Sequence, residues 1–206
     1  MGQRLVITGI KNHTPIFNIY YHWSAYTESA LNEADQLLKY LLRPENYNDL
    51  VLSAIKYCEL NGGGIGLNEE LKEAKRLYPD HDFKMDGISR NNGLIAITAN
   101  GMDDNTSWAE GTLDIDFDND IIKNNVFYGY DDIDQINEEY GYEDDEKLKD
   151  SDILVPHISV EEFYFDQIDE VYKILSNNNW FQGDCCILAK IEERFFLCSI
   201  DILISI

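Results

Sequence analysis

Positive charge is what this sequence has least of: 16 Lys and Arg stand against 39 Asp and Glu, for a formal net charge of -23. A field of that sign repels nucleic acid and anionic membranes, so direct binding to either is not expected, and it attracts basic surfaces. The deficit is uneven. Residues 1–100 hold 12 acids and 10 bases, whereas residues 101–206 hold 27 acids and 6 bases. Long apolar runs are also missing, and none approaches the roughly 18 residues that a membrane-spanning helix needs. The start, MGQRLVITGI, lacks a basic segment followed by an apolar one, so it does not read as a secretion signal. Its sixth residue is Val6, where the myristoylation pattern takes Ser or Thr. The four cysteines, Cys58, Cys185, Cys186 and Cys198, show no CxxC spacing, which favours buried reduced thiols over a metal or redox site. A cytoplasmic location is expected from these absences together.

Motifs for chemistry are equally scarce. His13, His22, His81 and His157 are scattered, with no G-x-S-x-G and no H-E-x-x-H. Gly62-Gly63-Gly64-Ile65-Gly66 is followed by neither Lys-Ser nor Lys-Thr, and residue 69 is Glu. It also follows a helix pattern rather than a strand, so it reads as a helix stop with a flexible connector instead of a phosphate loop. No enzyme and no cofactor are therefore expected, although a triad assembled from distant residues stays open.

What is present suits a folded chain. Across 206 residues, hydrophobic types make up 44% and aromatics 12%, enough to bury a core without disulfide or metal staples. Residues 4–10 and 15–21 are rich in β-branched and aromatic types and predict a hairpin around a four-residue loop, Lys11 to Thr14. Ala30, Leu31, Ala34, Leu37, Leu38, Leu41 and Leu42 recur at helical spacing, with Pro44 beyond. Further helices are predicted over about residues 47–60 and 68–77. A short strand is predicted at 93–98, and a second hairpin from Thr112–Asp118 and Ile121–Tyr128. A helix over 160–176 and two last strands, 185–191 and 194–204, complete the reading. With no repeat and no linker visible, the expectation is one α+β domain over residues 1–206. It would be an antiparallel meander sheet with helices packed mainly on one face.

The acids form two features. In Thr112–Asp120, Asp114, Asp116, Asp118 and Asp120 fall on alternate positions. On a strand Asp114, Asp116 and Asp118 would share one face at a spacing of about 6.5–7 Å, comparable to phosphates along a nucleic-acid strand. A solvated sheet face, a protein-binding face and a weak cation site all fit this row. A calcium loop does not, because its required Gly and Glu positions are Asn119 and Asn125. Residues 131–152 carry 11 acids and 2 lysines and read as an acidic insertion, a helix followed by a mobile loop. Within it, Asp131, Asp132, Asp134, Glu138, Glu139, Glu143, Asp144, Asp145 and Glu146 interleave with Tyr140 and Tyr142, and Tyr130 precedes them. Charge for basic residues and flat rings in place of bases are what a nucleic-acid decoy offers, while a plain solvated loop is the simpler alternative.

The stretch Tyr20 to Thr27 (YYHWSAYT) is dense in aromatics at a strand-to-helix turn. It is either a packed core corner or a ligand pocket in which His22, Trp23 and Tyr26 meet the ligand. For an anionic ligand, Arg4, Lys11 and Arg90 are the candidate bases that would offset the overall charge.

RLVITGI followed by YYHWSAYTESAL, and NNGLIAITANGMDDNTSWAEGTLDIDFD further on, resemble uncharacterised proteins of phages and mobile elements of low-GC Gram-positive bacteria. The resemblance spans roughly residues 1–120 and brings no catalytic residues. It implies a setting in which small acidic proteins inhibit host defence nucleases, as anti-CRISPR and anti-restriction proteins do. The leading expectation is thus a non-enzymatic, anti-defence inhibitor that mimics nucleic acid in the basic channel of a host defence enzyme. A nucleotide-signal binder or enzyme built on the His22 turn, and a structural phage protein whose acidity serves solubility, are the rivals. Oligomeric state is left open by the sequence.

Overall fold

In the computed structural model, residues 3–25, 27–66, 68–84, 89–126, 162–176, 188–191 and 194–197 are described. The chain divides into two compact units, Met1–Val126 and Phe127–Ile206.

The first unit opens with the hairpin that the sequence predicts: β1 is Leu5–Lys11 and β2 is Thr14–Tyr21. The connection is tighter than four residues. Lys11 pairs with Thr14, and Asn12 and His13 both take positive φ, 52° and 57°. That is the backbone of a two-residue hairpin turn, whose twist matches that of the flanking strands. Beyond the turn, the register shifts between Gly9 and Ile10, a bulge that alternation patterns do not reveal.

Three helices follow: α1 (Thr27–Leu41), the one-turn α2 (Pro44–Tyr47) and α3 (Leu50–Leu60). Of the predicted α1 stripe, Ala30, Leu31, Ala34, Leu37, Leu38 and Leu41 are all buried, whereas Leu42 lies past the helix end and is exposed. Pro44 sits in the first turn of α2, where its missing N–H costs nothing. Asp49 caps α3 by accepting from the Leu52 amide at 3.0 Å. Glu33 of α1 is the exception on that layer. Burial pushes its carboxyl above the usual range. Its ionised form is therefore disfavoured in the folded chain, and stability is lost as pH rises through the folded pKa. Glu33→Gln should raise the urea midpoint at pH 7 and leave it nearly unchanged at acid pH, where Glu33 is protonated in both states.

The glycine run is more than a connector. Gly63 donates to the Cys58 carbonyl to close α3, and Gly64–Ile65 then forms β3, parallel to β4 (Leu94–Ala96). Helix α4 (Glu69–Leu77) lies between them, and α5 (Ala99–Ser107) follows β4. Strands β5 (Gly111–Asp116) and β6 (Ile121–Asn125) form the second predicted hairpin.

The sheet is not an antiparallel meander. Its order in this unit is β3-β4-β2-β1-β5-β6. β1 lies inside it, antiparallel to β2 and parallel to β5, with Leu5 opposite Gly111 and Ile10 opposite Asp116. Hydrophobic alternation marks a strand but carries no information on its neighbour or direction, so the meander was the wrong inference. Nor do the helices keep to one face. Adjacent residues of β2 point to opposite sides. Asn18 meets α5 by donating to the Met102 carbonyl at 2.9 Å. On the other side Ile19 and Tyr21 converge with Cys58 of α3 around Gly93. The layer on the α3 side is apolar enough to drive folding: Phe17, Ile19 and Tyr21, alternate residues of β2, are at most 1% exposed, each worth about 1.5–3 kcal/mol on burial.

In the second unit, β7 (Glu162–Tyr164) runs into a 3-10 turn at Phe165–Gln167 and then into α6 (Ile168–Ser176). The sequence predicts one helix from residue 160. The helix starts later because the Gln167 side chain accepts from the Tyr164 amide at 2.9 Å and fixes an extended residue before the first turn. β8 (Leu188–Ile191) and β9 (Arg194–Leu197) are an antiparallel pair, Ile191 opposite Arg194. Among the described residues no helix is long and apolar enough to cross a membrane.

Candidate functional site

Two places follow from the sequence: the acids of the β5–β6 hairpin and the aromatic turn after β2.

The carboxylate row is shorter than its pattern. β5 ends at Asp116, so Asp114 and Asp116 share a strand face while Asp118 and Asp120 belong to the turn. Asp114 lies opposite Thr8 on one side and Lys123 on the other. Burial raises its carboxyl, opposed by the Thr8 hydrogen bond and the Lys123 charge. Asp116 accepts from the amide of Asp118 at 2.9 Å and from the Asn119 side chain at 2.8 Å. Partial burial raises its carboxyl, but these bonds outweigh it and hold it below the usual range. Asp118 accepts from the His13 amide at 2.9 Å and pairs with Lys11 at 3.5 Å, and these groups lower its carboxyl too, the amides most. Asp120 is exposed with φ 56°. Asp118 thus ties the β5–β6 turn to the β1–β2 turn, and Asp116 closes the β5–β6 turn on itself, uses that alternation alone does not show. Among the described residues no group of three or more His, Cys, Asp or Glu side chains is placed to hold a metal ion.

Tyr130, Asp131, Asp132, Asp134, Glu138, Glu139, Tyr140, Tyr142, Glu143, Asp144, Asp145 and Glu146 lie outside the described residues, as do Tyr26, Cys185, Cys186, Cys198 and His157. The described acids of the second unit, Glu162, Asp166, Asp169 and Glu170, are all exposed.

The aromatic turn is a cluster. β1 begins where β2 ends, because Leu5 pairs with Tyr21. β5 begins at the same level, because Leu5 also pairs with Gly111. Arg4, His22 and Glu110 therefore gather at one end of three adjacent strands. The Tyr20 hydroxyl and His22 Nδ1 are 3.0 Å apart. The Trp23 ring meets the imidazole edge-on, with centroids 4.9 Å apart. Arg4 Nη2 donates to Glu110 at 2.8 Å, and its guanidinium lies 5.8 Å from the centre of the Trp108 ring. The Arg4 bond holds the Glu110 carboxyl below its usual range. Arg90 reaches the same place: its carbonyl accepts from the His22 amide at 2.9 Å. Burial raises the Tyr20 phenol, and the charges of Arg4 and Arg90 offset that rise only in part. Comparison with protein-family models, with curated proteins and with solved structures gives no match. The cluster's chemistry therefore has to be judged from its own side chains.

Of the candidate bases, Arg4 and Arg90 join His22, whereas Lys11 lies at the other end of β1 against Tyr47 and Asp118. Trp108 and Glu110 are the members that sequence reasoning missed, whereas Tyr20 opens the aromatic stretch that it singled out. Trp108 stands 85 positions from Trp23, and only the parallel β1–β5 pairing brings them to one end of the sheet. Trp23 is 50% exposed and Trp108 57%, so neither indole is core. Elsewhere, Glu59 and His81 pair at 2.9 Å, and Glu59 also accepts from the Lys84 amide. That arrangement fastens a loop to α3. Cys58 is fully buried, its thiol pushed up by burial, and so is inert as a nucleophile.

Proposed function

We propose that this protein is a non-enzymatic acidic inhibitor from a phage or mobile element, which occupies the basic nucleic-acid channel of a host defence protein. The observation that carries this reading is the charge distribution: 21 of the 23 net negative charges fall in residues 101–206. A charge gradient of this size steers a basic partner to one part of the chain. The exposed side chains of Glu162, Asp166, Asp169 and Glu170 support it, since charge at the surface contributes directly to the field that a partner meets. Asp116 and Asp118 contribute less directly, because their oxygens already hold the hairpin turns. The acids and tyrosines of 130–146 supply the remaining contacts in this proposal.

Retention of the partner should weaken steeply as salt rises, because the Debye length falls from about 10 Å at 0.1 M to about 3 Å at 1 M. The test is a pull-down with the tagged protein from a Gram-positive lysate, washed at low and high salt, with bound proteins identified by mass spectrometry. Recovery of a nucleic-acid enzyme that is released by salt and displaced by DNA or guide RNA supports the reading. Recovery of no such enzyme at low salt sinks it. Replacing Glu162, Asp166, Asp169 and Glu170 together by Gln and Asn should slow association by about tenfold, the scale expected for steering charges. An unchanged rate would remove these four from the binding surface.

A further inference from the structure

The cluster at the start of β1 is not absorbed by the inhibitor reading, which rests on the opposite sign of charge. We propose that this cluster is a binding site for a small planar anion of the nucleoside monophosphate class. Trp23 and Trp108 would supply the stacking faces, and Arg90 with Arg4 the phosphate contacts.

Four observations carry it. Two indoles, 50% and 57% exposed, stand at the same end of the sheet. Exposed tryptophan leaves a large apolar face unburied, and a flat ligand is the natural cover. Each indole is already oriented by a polar neighbour, Trp23 by the His22 ring and Trp108 by the Arg4 guanidinium. Oriented rings bind with less loss of side-chain freedom. Arg4 Nε is shielded from water yet has no hydrogen-bond partner. An unmatched shielded donor is costly, and a ligand oxygen would satisfy it. Finally, two guanidiniums and one carboxylate act on the Tyr20 phenol there: Arg4, which pairs with Glu110, and Arg90, whose backbone carbonyl is bonded to the His22 amide. In a chain of net charge -23 this local excess of positive charge selects a small anion. A long polyanion would meet the repulsion of the rest of the chain.

The test uses the full chain and the indole N–H signals of its tryptophans in a nitrogen–proton NMR spectrum, assigned by Trp→Phe variants. The probes are adenosine 5′-monophosphate, adenosine, inorganic phosphate and a 5′-phosphorylated oligoadenylate. The mononucleotide should move the Trp23 and Trp108 signals together in a saturable way below about 1 mM, the threshold of weak specific binding. Adenosine and phosphate alone should each need about tenfold more, since either lacks one half of the contact. The oligonucleotide should bind less well than the mononucleotide. Arg90→Gln and Trp108→Leu should each weaken binding about tenfold. Both positions are exposed, so an unchanged unfolding midpoint will show that the fold is intact. Absence of any shift at 1 mM overturns the site, as does binding unaltered in both variants. Equal shifts from phosphate alone overturn the planar half of the assignment.

Discussion

Gly63→Ala is expected to lower stability by roughly 3 kcal/mol or more, the scale of forced overpacking at a site that cannot yield. A Cβ at residue 63 would fall on the Gly93 carbonyl oxygen and within 2.5 Å of that of Asn92. Both obstacles are backbone, so no side-chain rotation relieves them. The two segments are held at this separation by the Gly64 amide, which donates to the Gly93 carbonyl at 3.0 Å, and by β3 pairing with β4. The substitution must therefore separate β3 from β4 or displace the end of α3. Urea unfolding gives the magnitude. Hydrogen exchange at the Gly64 and Gly66 amides, both bonded across this gap, separates local from global loss. A midpoint within error of the parent protein would show that the two backbones are not held this close. Gly62→Ala is the comparison: its nearest obstacle is the Asn92 side chain at 3.0 Å, but its φ of 83° adds backbone strain. It should cost less, about 1 kcal/mol.

Replacing Asn18 by Leu should cost roughly 2–4 kcal/mol, the sum expected when more than one buried polar group loses its partner. Asn18 is 1% exposed and lies in the middle of β2, between β1 and β4. Its amide donates to the Met102 carbonyl and to Thr106 Oγ1, and its oxygen accepts from Asn105 Nδ2 at 2.9 Å. Leucine has nearly the same shape but leaves the Met102 carbonyl and the Asn105 amide without this partner. The double variant Asn18→Leu with Asn105→Leu should be less destabilised than the sum of the single changes, because one shared bond is removed only once. Strict additivity in unfolding measurements would show that the two side chains do not interact.

These two sites mark where the sequence was legible and where it was not. α1 and α3 could be read because their apolar residues recur at helical spacing and are buried as that spacing requires. α5 could not be. Its residues, ANGMDDNTS, have almost no apolar stripe, and the helix is held by polar bonds instead. Thr98 caps it by accepting from the Gly101 amide at 3.1 Å. The buried Glu70 accepts from the amides of Ile97 and Thr98 and from the Thr98 hydroxyl. Asn105 bonds back to β2. The Glu70 and Asn105 bonds join residues far apart in sequence, so no local pattern reports them. The same holds for the candidate site. His22 and Trp23 were visible as a local run of aromatics, and Arg4 and Arg90 as rare bases. Trp108 and Glu110 joined them only through the parallel pairing of β1 with β5. The acidic row shows the opposite error: alternation suggested three equivalent carboxylates, and the turn after Asp116 gave Asp116 and Asp118 separate tasks.

That same pairing governs when the first unit can fold. β1 needs β5, whose first paired residue, Gly111, is 106 positions after Leu5. A strand partner so distant makes closure slow, because the entropy of a long loop must be lost before any bond forms in return. During synthesis the β1–β2 hairpin and α1 are complete early, but one edge of β1 stays open until residue 116 has left the ribosome. Through that interval the nascent chain presents an apolar strand, LVITGI, with unpaired backbone groups and a net charge near zero around it. The strongly acidic residues arrive only afterwards. The half of the chain most exposed to misassociation is thus made before the charge that would keep it soluble, so aggregation of truncated nascent chains should end once β5 is available.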